Sequence, residues 1–134
     1  MTKPLLDHLP YAQFLNLKTD IYGDEVTVVM PFSDHLIGNP LRPALHGGST
    51  AALLELAAMA KVSHDYPRLR LPRPINVSIA YLRVGKASDV FARAHISKAG
   101  KKVAYVTATA WQESQDKPIA TLTAHFQLDD TTGD

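Results

Sequence analysis

The chain has 134 residues, 46% of them apolar and 20% charged, a formal net charge of +1 and no cysteine. That size and composition imply one globular domain over residues 1–134 without a linker; the balanced charge excludes a nucleic-acid protein, and the missing cysteine excludes disulfides, thiolate metal sites and cysteine nucleophiles. The opening Met1-Thr2-Lys3-Pro4-Leu5-Leu6-Asp7-His8 lacks a signal-peptide apolar core, and nowhere do the roughly 18 apolar residues of a membrane span run together, so the expectation is a soluble, cytoplasmic protein with no membrane contact.

Residues 4–15 form a short apolar lead-in of one or two helical turns, broken at Pro10. Two strand-like runs, residues 17–21 and 25–30, flank Gly23-Asp24 and predict a hairpin. Asn39-Pro40-Leu41-Arg42-Pro43 reads as an irregular loop, since two prolines so close together forbid a ladder or a helix. The run Ser49-Thr50-Ala51-Ala52-Leu53-Leu54-Glu55-Leu56-Ala57-Ala58-Met59-Ala60 then reads as a helix with apolar residues on every side, hence buried all round.

Residues 66–74 are basic and proline-punctuated, and strand signals continue to the end. Three runs alternate: Val90, Ala92, Ala94 and Ile96 share a face, as do Ala104, Val106, Ala108 and Ala110, and Ala120, Leu122, Ala124, Phe126 and Leu128. The opposite faces carry Arg93, His95, Tyr105, Trp111, His125 and several threonines, which suit either solvent or a second subunit. Breaks at Gly85-Lys86, at residues 99–101 and at residues 114–117 are short enough for hairpin connections. The order strand, strand, long helix, four strands predicts an α+β fold, an antiparallel sheet whose alanine-rich face curls around one helix.

Glu55 is the only charged residue between Arg42 and Lys61, and its helical neighbours Gly48, Ala51, Ala52, Ala58, Met59 and Val62 offer a carboxylate no partner. A carboxylate is seldom buried without compensation, so Glu55 is the first candidate for chemistry. The helix is entered through His46-Gly47-Gly48, whose glycines leave positive-end N–H groups open to an oxyanion. Gly47 and Glu55 are eight residues apart, about 12 Å along a helix axis, so one helix cannot bring both to one carbon. Two antiparallel copies across a two-fold axis can, giving a dimer with two composite sites. Taken singly, the double glycine also fits a plain tight turn, and Glu55 a helix-edge carboxylate reaching water.

The run Leu45-His46-Gly47-Gly48 with Leu54-Glu55 nine residues after the histidine resembles the hotdog-fold acyl-CoA thioesterases of the phenylacetate-pathway and 4-hydroxybenzoyl-CoA type. Leu9-Pro10-Tyr11-Ala12, Ile37-Gly38-Asn39-Pro40, Ile79-Ala80-Tyr81-Leu82-Arg83 and Gly100-Lys101-Lys102 extend the likeness over most of the chain. It implies a hotdog fold, an antiparallel sheet of five to six strands wrapped around one long central helix. It also implies hydrolysis of an aryl- or medium-chain acyl-CoA thioester, with coenzyme A (CoA) as part of the substrate and no separate cofactor or metal. Residue by residue, Glu55 matches the catalytic carboxylate, Gly47 the backbone donor to the thioester carbonyl from the opposing subunit, His46 the loop-positioning histidine and Asn39 the asparagine that orients substrate or water. Gly48, Arg83, Lys101 and Lys102 are the expected CoA contacts. The spacing of Asn39 from His46 is one residue longer than in many members. Where some relatives carry a Ser or Thr this chain has Pro74, which leaves water assistance to Asn76 or Ser78 or to nothing. The expected assembly is a homodimer, with a homotetramer a further option.

The six histidines lack metal-ligand spacing, no Gly-x-Ser-x-Gly elbow exists, and no Gly-x-Gly-x-x-Gly follows a strand. The alternative is a non-catalytic acyl-CoA or aromatic-ligand binding protein of the same fold; a hydratase is disfavoured by the single helix carboxylate.

Overall fold

The lead-in is two turns with a break before Pro10, as its sequence implies, and Pro10 opens the second, at the first position of a helix where a missing N–H costs nothing. In the computed structural model, which describes residues 4–129, a 3-10 turn (Leu5–His8) leads into α1 (Pro10–Phe14). The readings at residues 1–3 and 130–134 lie outside the described residues. Strands β1 (Lys18–Tyr22) and β2 (Glu25–Met30) pair antiparallel across the two-residue loop Gly23-Asp24, and Gly23 takes the left-handed φ of +63° that such a turn requires at its first central position.

The segment between β2 and the long helix is more ordered than its prolines suggest. A 3-10 turn (Asp34–Leu36) precedes β3 (Ile37–Asn39) and β4 (Ala44–Leu45), which form a small separate ladder around the Asn39-to-Pro43 bend. Helix α2 (Gly47–Asp65) follows, then β5 (Arg73–Tyr81), β6 (Val90–Ala99), β7 (Val103–Trp111) and β8 (Ala120–Gln127). Strands β1, β2 and β5 to β8 make one six-stranded antiparallel sheet in the order β1-β2-β6-β7-β8-β5. The sheet wraps α2, which lies against β2, β6, β7 and β8. This is the hotdog arrangement that the resemblance implies.

Alternation places Ala92, Ala94, Ala104, Ala108, Ala110, Ala120 and Ala124 on the inner face, all buried. Their small side chains let α2 approach closely, and Met30, Leu53, Leu54, Val62 and Phe126 fill the remaining space. Phe126 is fully buried, so Phe126→Ala should lower unfolding stability by about 3–5 kcal/mol, read as an unchanged slope and a shifted midpoint in urea. On the outer face Trp111 is itself buried: Phe91 stacks on it at 6.0 Å between centroids, and the Arg93 guanidinium lies 5.4 Å from the ring centre.

Two sequence expectations are corrected, the hairpin at Gly85-Lys86 and the all-round burial of α2. The break at Gly85-Lys86 is no hairpin, because the β7-β8 pair is inserted between β6 and β5 and residues 82–89 must cross the sheet's end. Pro74 lies inside β5, where the sheet edge and a bulge between Pro74 and Asn76 remove the need for its N–H. Finally, α2 is not covered all round. Gly48 is exposed and Ala51, Ala52 and Glu55 are half-buried, one stripe at helical spacing that closes at Met59 and Val62, because nothing in a single chain packs over its first half.

Candidate active site

His46 caps α2. It stands at the N-cap with extended backbone, its Nδ1 accepts the Gly48 N–H at 2.9 Å, and its carbonyl accepts from the Ser49 N–H and hydroxyl. That bond places the proton of the neutral ring on Nε2. Two glycines make the fit possible: a Cβ on Gly38 would come within 2.8 Å of the His46 Cα, and one on Gly48 within 2.9 Å of its Nδ1. The His46 N–H donates to the Leu36 carbonyl at 2.8 Å, tying the cap to the preceding turn. His46→Ala should cost about 1 kcal/mol of stability, the usual worth of an N-cap, measurable by denaturant titration.

Gly47 opens the helix, and among the described residues its N–H has no acceptor. The donor thus faces outward at the positive end of the helix dipole. Gly47 is held by Tyr81, which lines the same groove: its hydroxyl donates to the Gly47 carbonyl, in the peptide that follows the donor, at 2.9 Å, and its ring lies 3.2–3.3 Å from where a Gly47 Cβ would sit. The sequence alone assigns Tyr81 no role. It stands 34 positions from Gly47, and only the placement of β5 beside β8 brings it to the helix start. In front of Gly47 lies a groove of about 450 Å³ walled by Leu45, Thr50, Leu82, Arg83, Val84 and Ile119.

Glu55 is not on the wall of this groove. It projects from the half-covered stripe of α2, two turns past Gly47, with no hydrogen bond or ion pair among the described residues. Lys61, another charge of the same helix, shows the contrast: its buried ammonium donates to the Asp24 carbonyl and to the carboxylate of Asp65 at the helix end. A charge that serves packing is partnered here, and Glu55 is not.

The remaining candidates are dispersed. Asn39 uses its Oδ1 to accept the Leu41 N–H at 3.0 Å, closing its own turn, and leaves its side-chain nitrogen free of that bond. Arg83 lines the Gly47 groove and donates to the Pro118 carbonyl at 2.7 Å. Lys101 and Lys102 are not brought to the groove by one subunit. They sit beyond Val103, which pairs with Gln127 and so aligns with Arg73, whereas Tyr81 aligns with Ala120 at the other end, about 26 Å away along the strands. Asn76 is engaged with His125, whose N–H and ring lie 3.2 and 3.0 Å from its Oδ1, while Ser78 is exposed on the edge strand.

Comparison with known proteins adds to this geometry. Residues 38–127 match the family model described as the acyl-CoA thioesterase N-terminal domain. The chain is similar to the medium/long-chain acyl-CoA thioesterase YigI of Salmonella typhimurium, 29% identical over 136 residues that cover 90% of this chain and 86% of the relative. Among solved structures, a protein from Chromobacterium violaceum superposes with a TM-score of 0.75 at 34% identity, covering 94% and 88% of the two chains. The BH2602 protein from Bacillus halodurans, solved with CoA, superposes at 0.79 with 24% identity over 90% and 79%. The matched segment holds His46, Gly47, Glu55 and Tyr81 together, and the chain belongs to the acyl-CoA thioesterase family, a thioester hydrolase by that membership.

Proposed function

We propose that the chain hydrolyses aryl- or medium-chain acyl-CoA thioesters to the free acid and CoA as a homodimer with two composite sites. The observation that carries this reading is the separation of two unsatisfied groups on one helix, the Gly47 N–H and the Glu55 carboxylate, about 12 Å apart along an incompletely covered stripe. An antiparallel second copy of α2 laid on Gly48, Ala51, Ala52 and Glu55 sets the donor of each subunit against the acid of the other. The edge strand β5 supports the same assembly, since it is unpaired on its outer side and exposes Ile75 and Tyr81. Pairing of outer sheet faces would make the tetramer.

In this site the thioester oxygen lies on the Gly47 N–H at the helix N-terminus, where negative charge is favoured as the carbonyl is attacked. Glu55 of the second subunit either takes a proton from the attacking water or attacks directly, expelling the CoA thiolate and forming a mixed anhydride that water then hydrolyses to the free acid and the regenerated carboxylate. His46 and Tyr81 fix the peptide that follows the donor, through the Gly48 N–H and the Gly47 carbonyl, and so hold Gly47 in place, and Asn39 offers its side-chain nitrogen at the loop. The CoA arm leaves along the groove past Gly48 and Arg83; Lys101 and Lys102 can join it only from the second subunit. No cofactor beyond the substrate's own CoA enters the reaction, and no helix among the described residues is long and apolar enough to cross a membrane. We place the enzyme in the cytoplasm with its substrates. The name of YigI supports medium-chain substrates, and the aryl preference rests on the sequence resemblance.

The test is thiol release from benzoyl-, phenylacetyl- and C4 to C16 acyl-CoA, with sedimentation at the same concentrations. Turnover by a dimer supports the reading. Tight binding of CoA derivatives without release would identify a binding protein instead.

A further inference from the structure

The groove in front of Gly47 does not end at Arg83. Past the shared walls of Arg83, Val84 and Ile119 it continues into a second hollow of about 280 Å³, lined also by Lys86, Gln112, Glu113 and Lys117. Three cations and one carboxylate surround this hollow, an excess of positive charge at the far end of a groove whose near end is largely apolar.

The loop that presents Lys86 is rigidly built. The Gln112 side chain accepts the Lys86 N–H at 2.9 Å and donates to the Lys86 carbonyl at 2.8 Å, and the Ser88 N–H folds back on the same carbonyl at 2.8 Å. One residue earlier, the Gly85 carbonyl accepts the Leu45 N–H at 2.9 Å, and Lys86 bridges to Ala44. Ala44 and Leu45 lead directly into His46 and Gly47. The chain that carries the oxyanion donor is therefore bonded to the chain that carries Lys86, and five residues of extended backbone, about 17 Å at most, separate Lys86 from Tyr81.

The charges are incompletely used. Lys86 pairs with Glu113 at 3.1 Å, but both side chains are largely exposed, and Lys117 has no ion pair among the described residues. Lys86, by hydrogen bond and charge, and Lys117, by charge, hold the Glu113 carboxyl below its usual range. A phosphate carries more charge and more acceptor oxygens than this carboxylate and can replace it.

We propose that the hollow is the phosphate subsite for CoA, with Lys86 and Lys117 as the phosphate-binding pair and Arg83 guarding the passage from the thioester. This rests on the reading of the Gly47 groove as the thioester site. It makes Glu113 a competitor that occupies Lys86 until substrate arrives. Opposite signs follow: removing either lysine weakens recognition of the nucleotide end, and removing Glu113 strengthens it.

The experiment compares each acyl-CoA with the same acyl thioester of pantetheine, which lacks the phosphates and nucleotide. Lys86→Glu and Lys117→Glu should each lower the ratio of kcat/KM for the CoA ester over the pantetheine ester by about tenfold, the low end for a charge-assisted hydrogen bond at an exposed site. Glu113→Gln should raise that ratio, and added salt should shrink all three effects. An unchanged ratio in both lysine variants overturns the subsite. So does a fall in the ratio caused by Lys101→Glu and Lys102→Glu alone, which would place the phosphates at the β6-β7 hairpin. Calorimetry with CoA itself is the second arm. If the native protein cleaves neither ester yet binds CoA, and Lys117→Glu weakens that binding, catalysis fails as a reading while the phosphate subsite stands.

Discussion

Glu55→Gln should reduce kcat for acyl-CoA hydrolysis by about 10²–10⁴, the usual contribution of a positioned acid–base group, while the protein keeps its fold and assembly. The amide conserves shape and removes only the ability to accept a proton or to attack. Because Glu55 is half-buried and makes no hydrogen bond or ion pair among the described residues, nothing in the subunit is orphaned by the change. The melting temperature should therefore move little, within the roughly 0.5 kcal/mol typical of a substitution without a structural partner. Thiol release under saturating substrate, with circular dichroism and sedimentation on the same samples, checks both halves. Retained turnover in the glutamine variant would remove Glu55 from the mechanism altogether.

Restored activity on mixing two dead variants is the second large effect. Gly47→Ala puts a Cβ against the Tyr81 ring at 3.2–3.3 Å and displaces the donor peptide, and the loss of one oxyanion donor is worth about 3–4 kcal/mol in the barrier. Glu55→Gln removes the acid. In a mixed dimer of these chains both defects fall in one composite site, and the other site receives a native Gly47 and a native Glu55. Random assembly from equal amounts makes half the dimers mixed, each with one sound site, so about a quarter of native activity should return. The measurement is thiol release after the two variants are unfolded and refolded together, against each refolded alone. Were donor and acid to act within one chain, no mixture would recover anything.

What the residues announced, and what they concealed, follows from the range of the forces involved. Alternation in β6, β7 and β8 is a local record of one buried face, and Gly23-Asp24 is a local record of a turn, so both were legible. The spacing of Gly47 and Glu55 was legible too, because helix rise is fixed. The crossover of residues 82–89 left no such trace, since its path depends on the β7-β8 pair being inserted beside β5. Tyr81 was hidden for the same reason: a tyrosine at the end of a strand says nothing about the carbonyl it will meet until sheet order is known. Composition also misled at α2. Alanine reads as core, yet Ala51 and Ala52 remain half-open, because apolarity does not reveal whether the covering surface belongs to the same chain.

Trp111 is the chain's single tryptophan, and its place between Phe91 and Arg93 on the outer face of the sheet turns it into a built-in optical probe. Its emission originates from one known environment, on the side of the sheet away from α2. Loss of the stack on unfolding exposes the indole and shifts the spectrum to the red, so the urea transitions of the substitutions above can be followed without a label. Docking of a second dimer against this face would change the same signal on dilution. The wall of the Gly47 groove includes none of Phe91, Arg93 and Trp111, whereas the hollow beyond it reaches Gln112, the next residue in the chain, so the same chromophore reports assembly on one side and nucleotide binding on the other.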